Sequence, residues 1–210
     1  MYRFTNPLWE IGRAQRSLVE SEKAGDIFGS VVDIGCGRGE NALFLASQGY
    51  SVTGIDFSKP AIKAARRSAA KRGSSARFFA GDVFNWPSQG ETYDTVIDYG
   101  VFHQFPQGKT RQYVDVLARL TRPGGTLLLQ CFGEGEGRQV GKGPRHISKR
   151  ELATTFSTDW SIDWIRSEIY EVNSGEPFPA FLMKATRLNT ERYSPEEEQA
   201  SRQSGKLAIR

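Results

Sequence analysis

Short apolar runs alternate with amphipathic segments along most of the chain. Residues 30–34 form an apolar run that ends at glycines, which predicts a buried parallel strand and a tight turn. Residues 41–46 then follow a helical pattern that Gly49 closes. Residues 51–56 predict the next strand. Ser58 and Pro60 start another helix as capping residue and first-turn proline.

The same alternation continues to residue 188. Further strands are predicted over 76–80, 95–99 and 126–132, helices over 110–120 and 149–156, and an antiparallel closing pair over 160–172 and 180–188. The helix after residue 58 should stop at Gly73, and residues 122–125 should end the helix before them. This order predicts an α/β fold with a doubly wound, mostly parallel seven-stranded sheet. Ligands of such sheets bind at the carboxyl ends of the strands.

Three regions follow from this division. Residues 1–29 are expected to form a cap or lid, residues 30–189 the main domain, and polar residues 190–210 a disordered tail. The glycine-rich loop 133–144 fits a mobile lid or an ordinary surface loop equally well.

Composition narrows the class of protein. The chain has 210 residues, 38% of them hydrophobic and 25% charged, which suits one soluble domain. An uninterrupted apolar stretch of ~20 residues, as a membrane span needs, is absent from the sequence, and the first residues do not resemble a signal peptide, so we expect a cytoplasmic protein. Cys36 and Cys131 predict neither a disulfide framework nor a zinc site, and no bound metal is expected.

The net charge of +4 raises the question of an anionic partner. Seven basic residues and no acidic residue lie between Lys59 and Arg77, interleaved with alanines at helical spacing. No aromatic residue in their helix could stack on a base, so a solvated helix face is favoured over a nucleic-acid surface.

The turn after the first strand carries the first chemical signal. The segment reads Asp33-Ile34-Gly35-Cys36-Gly37-Arg38-Gly39-Glu40 and lies between a strand and a helix, where glycines let a ligand approach the backbone. It matches neither the dinucleotide fingerprint nor a P-loop. An acidic residue here disfavours phosphate and suits an ammonium group, which indicates an amino-acid-like ligand.

Two further carboxylates follow the next strands. Asp56 ends the second strand, where a carboxylate can accept from both ribose hydroxyls. Asp82 follows the third strand and could accept from an exocyclic amine, while Phe57 and Val83 offer apolar faces to a ring. An amino acid joined to adenosine is S-adenosylmethionine.

At this point the chain resembles the class I (Rossmann-like) S-adenosylmethionine-dependent methyltransferases. The matching stretches are residues 31–39, 52–58, 81–83, 93–98 and 120–125, in the order of the family. The resemblance implies a methyltransferase that releases S-adenosylhomocysteine. It implies that Asp33 holds the methionine ammonium, that Asp56 holds the ribose and that Asp82 and Val83 contact adenine. The full set of implied cofactor residues is Trp9, Gly12, Arg13, Asp33, Gly35, Cys36, Gly37, Asn41, Asp56, Phe57, Asp82, Val83 and Tyr99.

The amino-terminal segment resembles a subset of this family. Small-molecule enzymes such as the thiol and halide methyltransferases and the bacterial heterocyclic-toxin and quinone methyltransferases carry a P-W-[DE]-x-G segment over the cofactor. Here Leu8 is inserted between Pro7 and Trp9. Trp9 is therefore expected in a lid, with a tryptophan packed on the core as the alternative.

The resemblance also points to an acceptor site. Residues Phe102 and His103 after the fourth strand, and Arg145 and His146 before the fifth helix, are expected to contact the substrate. His103 is the candidate general base, although a histidine there could instead bind the backbone or shape the pocket. Arg145 and His146 could bind an anion or cap the helix.

The most direct expectation is methyl transfer to a heteroatom of a small aromatic or heterocyclic molecule, with oxygen favoured over sulfur or nitrogen. A thiol or halide methyltransferase is the first alternative. An RNA methyltransferase is disfavoured because residues 98–101 lack the [DN]-P-P-[YF] turn. A non-catalytic regulator that binds S-adenosylmethionine is the remaining alternative, and the chain could be a monomer or a dimer.

Overall fold

The computed structural model describes residues 7–86, 90–134, 144–174 and 178–189. The strands are β1 (Ser30–Ile34), β2 (Ser51–Asp56), β3 (Arg77–Ala80), β4 (Tyr93–Tyr99), β5 (Thr121–Phe132), β6 (Trp160–Tyr170) and β7 (Phe178–Arg187). The helices are α1 (Arg16–Lys23), α2 (Glu40–Ser47), α3 (Lys59–Arg72), α4 (Gln107–Leu120) and α5 (Lys149–Thr155). Residues 190–210 and most of the loop 133–144 lie outside the described residues, so the expectations for them stay predictions.

The described strands form one sheet in the order β3-β2-β1-β4-β5-β7-β6. Strands β1 to β5 pair in parallel, whereas β7 is antiparallel to both β5 and β6. The predicted α/β fold with its closing pair is confirmed. Because β1 lies between β2 and β4, the winding of the sheet reverses beside β1 and opens a crevice at the carboxyl ends of these strands.

Both faces of the sheet are buried along β1, β2, β4 and most of β5, which explains the nearly continuous apolar sequence of these strands. Neighbouring residues alternate between two core clusters: Val31 packs with Leu18 of α1 on one face, and Val32 packs with Tyr113 of α4 on the other. Helices α1, α2 and α3 therefore cover one face, and α4 and α5 cover the other. Among the described residues, no helix is long and apolar enough to cross a membrane.

Helix α1 was not predicted from the sequence. Its buried positions include Ser17 and Ser21, which are small and polar, so the helix lacks a clear apolar face. Leu18 and Ile27 nevertheless pack in the same cluster as Val31. The core thus extends into the region expected as a cap, and, of the described residues, 7–13 lie ahead of it.

The passage from α4 to β5 differs from the prediction. The strand begins at Thr121 rather than at residue 126, since Thr121 already pairs with Tyr93 of β4. The pairing then resumes at Thr126 opposite Thr95, so residues 122–125 bulge out of the strand instead of ending the helix. Helix α4 also begins earlier, at Gln107.

Candidate cofactor and acceptor site

The turn between β1 and α2 has a backbone that favours glycine. Gly35, Gly37 and Gly39 all have positive φ angles, of 65°, 55° and 86°. A Cβ on Gly35 would lie 2.1 Å from Cγ2 of Val101, so this backbone also packs closely against the segment after β4. The turn, whose glycines were predicted to line the cofactor, is thus fixed both by conformation and by packing.

Asp33 lies beneath this turn with only 2% of its surface exposed. Its Oδ2 atom is buried and has no hydrogen-bond partner among the described residues. Burial raises the pKa of Asp33 well above its usual range, and the nearby carboxylates of Asp56 and Asp98 raise it further. A cation beside Asp33 would relieve this cost, which is what an amino-acid ammonium supplies.

Asp56 ends β2 with each carboxylate oxygen held by one backbone N–H group. Gly37 donates to Oδ2 at 2.9 Å and Ser58 donates to Oδ1 at 2.7 Å. Burial raises the pKa of Asp56, and these two hydrogen bonds lower it. Each oxygen keeps further acceptor capacity, so the carboxylate is oriented to bind the two hydroxyls of a ribose.

The predicted adenine residues lie beyond β2 and β3. The Phe57 side chain is 82% exposed, which leaves an apolar ring at the surface of the site. Asp82 caps the 3-10 turn Val83–Asn85: its Oδ1 accepts from the N–H of Phe84 at 3.0 Å. Val83 packs partly against the core. Asp82 therefore has a local structural contact in addition to any role at adenine.

Residues 7–13, called the strap below, cross the carboxyl ends of the strands. The partly open cavity under the strap has a volume of about 60 Å³, the volume of about two water molecules. It is lined by Trp9, Glu10, Ile11, Arg13, Gln15, Asp33, Gly35, Cys36, Gly37, Arg38, Glu40, Asn41, Tyr99 and Tyr170. Glu10 accepts a hydrogen bond from the N–H of Arg38 at 3.3 Å, which joins the strap to the glycine turn.

This lining brings most of the predicted cofactor residues together. Cys36 is a buried thiol whose pKa is raised well above its usual range by burial and by Asp33. Gly12 has a φ of 73° in the strap, close to the cavity. Asn41 accepts from the N–H of Gln15 at 3.1 Å and so helps to hold the base of the strap.

Contacts to the residues after β6 fasten the strap. The Arg13 guanidinium makes a bidentate ion pair with Glu171, at 2.9 and 2.7 Å, which lowers the pKa of Glu171. Asn173 donates from its side chain to Pro7 O at 2.8 Å and from its backbone to Leu8 O. Sequence reasoning missed Glu171 and Asn173, because they are about 160 positions from the strap. Arg13 lines the cavity, but its charge is paired with Glu171.

An aromatic cluster extends the site towards the ends of β4 and β5. Its centre is Phe132, which stacks on His103 at 4.2 Å and on Phe178 at 4.9 Å between ring centroids. Tyr170 meets the edge of Phe132 at 5.1 Å and also lines the cavity under the strap. His146 lies 6.2 Å from Phe132. Tyr170 thus connects an aromatic cluster to the cavity under the strap.

His103 is held as a neutral donor rather than as a base. Its Nδ1 accepts from the N–H of Phe132 at 3.1 Å, so the neutral ring carries its hydrogen on Nε2. Burial lowers the pKa of His103 to about 3, and His146 contributes to this shift. This geometry argues against the expected role of His103 as a general base and supports the alternative of a backbone-binding histidine.

Two other predicted acceptor residues have structural contacts. Phe102 is fully buried and packs against Phe156 at 5.6 Å, so it belongs to the core instead of facing a substrate. The Arg145 guanidinium donates to the carbonyl of Phe105 at 3.2 Å and pairs with Glu151. Its charge is thereby balanced within the protein.

Comparisons with known proteins identify the family of the chain. Residues 31–125 match a family model described as a methyltransferase domain. A 2-heptyl-1-hydroxyquinolin-4(1H)-one methyltransferase of Mycobacteroides abscessus is 30% identical over 158 residues, which are 75% of this chain and 70% of that protein. A probable thiol methyltransferase 2 of Arabidopsis thaliana is 27% identical over 146 residues, 68% of this chain and 63% of that protein.

A solved structure extends the similarity to nearly the whole chain. It comes from work on the conversion of a disulfide bond into a thioacetal group during echinomycin biosynthesis. It covers 98% of this chain and 93% of its own, with 31% identity and a TM-score of 0.80. The chain belongs to the class I S-adenosylmethionine-dependent methyltransferases and is an enzyme of that family.

Proposed function

We propose that this enzyme methylates a small aromatic or heterocyclic molecule, with oxygen as the favoured acceptor atom. The aromatic cluster around Phe132 carries the proposal, because it adjoins the cavity through Tyr170 and surrounds that end of the site with aromatic side chains. The hydroxyquinolone methyltransferase among the relatives acts on a molecule of this chemical class.

The residues of the site would serve this reaction mainly by binding and orientation. S-adenosylmethionine, when bound, supplies a methyl group on a sulfonium centre. Asp33 would hold its ammonium group and Asp56 its ribose, which fixes the direction of the methyl group relative to the cluster. The strap would cover the bound methionine end, since Trp9 and Glu10 line the same cavity as Asp33.

A labelled-methyl screen tests the proposal. The enzyme is incubated with methyl-labelled S-adenosylmethionine and with phenols, hydroxyquinolines, arylamines, thiols and halides, each at the same concentration. We expect the highest kcat/KM for aromatic hydroxyl acceptors. An Asp56→Ala enzyme in parallel shows whether the label depends on the predicted cofactor site. Transfer only to aliphatic thiols or halides would overturn the proposal.

A thiol acceptor is the second candidate function. It is favoured by the structure from echinomycin biosynthesis, where the chemistry named is that of a disulfide and a thioacetal. The same screen separates the two candidates, because a thiol substrate would exceed every hydroxyl acceptor in kcat/KM.

The same screen tests RNA as an acceptor. Two basic side chains of α3 already have contacts in the protein: Arg66 donates to Phe78 O at 2.9 and 2.6 Å, and Arg72 pairs with Glu40 at 2.8 Å. We therefore expect less label in total RNA than in the small molecules.

A further inference from the structure

The chain contains two histidines, and both lie at the aromatic cluster. Their ring nitrogens face opposite kinds of backbone group. His103 Nδ1 faces the N–H of Phe132 at 3.1 Å, whereas His146 Nδ1 lies 2.9 Å from the carbonyl oxygen of Gly133. The two imidazoles are therefore held in opposite tautomers when neutral.

Whether Nε2 carries a hydrogen or a lone pair decides which ring can accept a proton there. A backbone N–H only donates, so neutral His103 has its hydrogen on Nε2 and its lone pair is already used. A carbonyl oxygen only accepts, so His146 has its hydrogen on Nδ1 and a lone pair on Nε2. His146 is also partly exposed, whereas His103 is 2% exposed. Of the two histidines, only His146 therefore has a lone pair on Nε2 that can accept a proton from a substrate.

We propose that Nε2 of His146 is the general base for a hydroxyl acceptor, and that His103 is a positioning residue. This inference rests on the proposed function. The acceptor oxygen forms a bond to the methyl carbon while the carbon–sulfur bond breaks and its electron pair stays on sulfur. The proton of the acceptor hydroxyl goes to Nε2 of His146, and from there to solvent.

The surroundings of His146 suit this step. The carbonyl of Gly133 can stabilise the ring once both nitrogens carry hydrogen, as the partner of a catalytic histidine commonly does. Among the described residues, the elements packed here also carry these ionisable groups: His103, Tyr170, Cys131, Glu134, Lys149 and the Arg145–Glu151 pair. Burial lowers the pKa of His103, so that ring stays neutral, and the charge of Arg145 is paired with Glu151.

The tautomers can be measured without turnover. In protein labelled with 15N-histidine, long-range 15N–1H correlation spectra distinguish the two neutral forms of each ring. The His146→Gln variant assigns the two spin systems, because one histidine then remains. We expect a hydrogen on Nδ1 for His146 and on Nε2 for His103. A hydrogen on Nε2 of neutral His146 would overturn the proposal.

Turnover of a graded series of phenols tests the base itself. For weakly acidic phenols we expect His146→Gln to lower kcat by ~10² to 10⁴-fold, the range of general base catalysis. For phenols that are already ionised at the assay pH, the loss should nearly disappear. His103→Asn keeps an acceptor for the N–H of Phe132, and its loss should not depend on the acidity of the phenol.

The outcomes separate this inference from the proposed function. If the wild type methylates phenols and His146→Gln loses the same factor across the series, His146 only positions the acceptor and the base assignment is wrong. If the wild type binds S-adenosylmethionine but methylates thiols and no phenol, the proposed oxygen acceptor is wrong, and the base assignment falls with it.

Discussion

Gln15 and Glu171 exchange two hydrogen bonds across 156 positions of sequence. Gln15 Nε2 donates to the carbonyl of Glu171 at 3.0 Å, and the N–H of Glu171 donates to Gln15 Oε1 at 3.1 Å. One side-chain amide thus pairs with the backbone just beyond β6, the edge strand of the sheet. The base of the strap is fixed to the sheet beside the cavity, while residues 7–10 are held by Asn173 and, at Glu10, by the N–H of Arg38.

Replacing Asn173 by alanine should change the release rate of the product more than the stability of the fold. Its side-chain amide donates to Pro7 O at 2.8 Å and to Glu10 O at 3.3 Å, outside the core. The Asn173→Ala variant loses two hydrogen bonds of about 0.5 to 1.5 kcal/mol each. We therefore expect it to release S-adenosylhomocysteine about tenfold faster than the wild type. Stopped-flow fluorescence measures the release. Ser47→Ala removes an exposed local hydrogen bond to Phe44 and is the control.

If Asn173→Ala lowers the melting temperature and leaves the release rate unchanged, the strap is part of the stable fold.

Trp9→Ala tests the role of the strap in a second way. Its side chain lines the cavity and is 37% exposed. If Trp9 covers the cofactor, turnover should fall further than stability, whereas a core tryptophan would lower both together.

Removing the carboxylate of Asp56 should weaken cofactor binding. Its two oxygens are oriented by Gly37 and Ser58, so a ribose would form charge-assisted hydrogen bonds with a preorganised acceptor. We expect Asp56→Ala to raise the Kd of S-adenosylmethionine more than tenfold, about 1.4 kcal/mol or more. Calorimetry measures it. Asp163→Ala, which removes an exposed carboxylate beside Thr186 on β7, should leave the Kd unchanged.

An Asp56→Ala enzyme with the affinity of the wild type would mean that the ribose is held elsewhere. Asp33 would then be the residue to examine, since its carboxylate has an unpartnered oxygen and lines the cavity under the strap.

The parts of the site that the sequence predicts are those set by local rules. A strand, a glycine turn and a helix place Asp33 and Asp56 at adjacent strand ends in any parallel sheet, so their positions follow from the alternation of elements. The parts that it does not predict depend on distant partners. The tautomer of His103 is set by Phe132, 29 residues away, and the strap is held by residues near 171.

Helix α1 and the start of β5 show the same limit within the fold. Ser17 is buried because it donates to Gln130 of β5 at 3.1 Å, a partner that hydrophobic periodicity does not reveal. Thr121 is in a strand because Tyr93 lies opposite it, although a proline and two glycines follow at once. In both cases tertiary pairing outweighs the local signal.

Adding a methyl group at Gly35 should damage the turn for two separable reasons. The Cβ would meet Cγ2 of Val101 at 2.1 Å, and its φ of 65° disfavours alanine by roughly 1–2 kcal/mol. Gly35→Ala should therefore lower the melting temperature and cofactor affinity together. Adding Val101→Ala removes the contact and should restore part of the loss. Val101→Ala alone is the matched control, and a double variant as unstable as the sum of the singles would contradict the steric explanation.

The stability of the fold should depend on pH, because Asp98 is buried and its carboxylate contacts Tyr113. The buried carboxylate accepts from the N–H groups of Gly100, Val101 and Phe102 and from the Tyr113 hydroxyl at 2.9 Å. Burial raises the pKa of Asp98 from 3.8 to about 6, and these hydrogen bonds oppose the rise. The proton is thus held more tightly in the folded than in the unfolded chain. This contribution to stability is present below pH 4 and is lost as the pH rises through about 6, with a size of about 3 kcal/mol.

Replacing Tyr113 by phenylalanine tests that sign. The hydroxyl donates to the carboxylate, so it stabilises the ionised form more than the protonated form. Tyr113→Phe should therefore cost about 1.5 to 3 kcal/mol in the free energy of unfolding above pH 6, and less at pH 5. Urea unfolding from pH 5 to 7.5 measures the difference. In Thr121→Val the lost hydrogen bond goes to the uncharged carbonyl of Leu117, so its cost should stay constant over this range. A Tyr113→Phe cost that is equally flat would mean that Asp98 does not change its charge between these pH values in the folded protein.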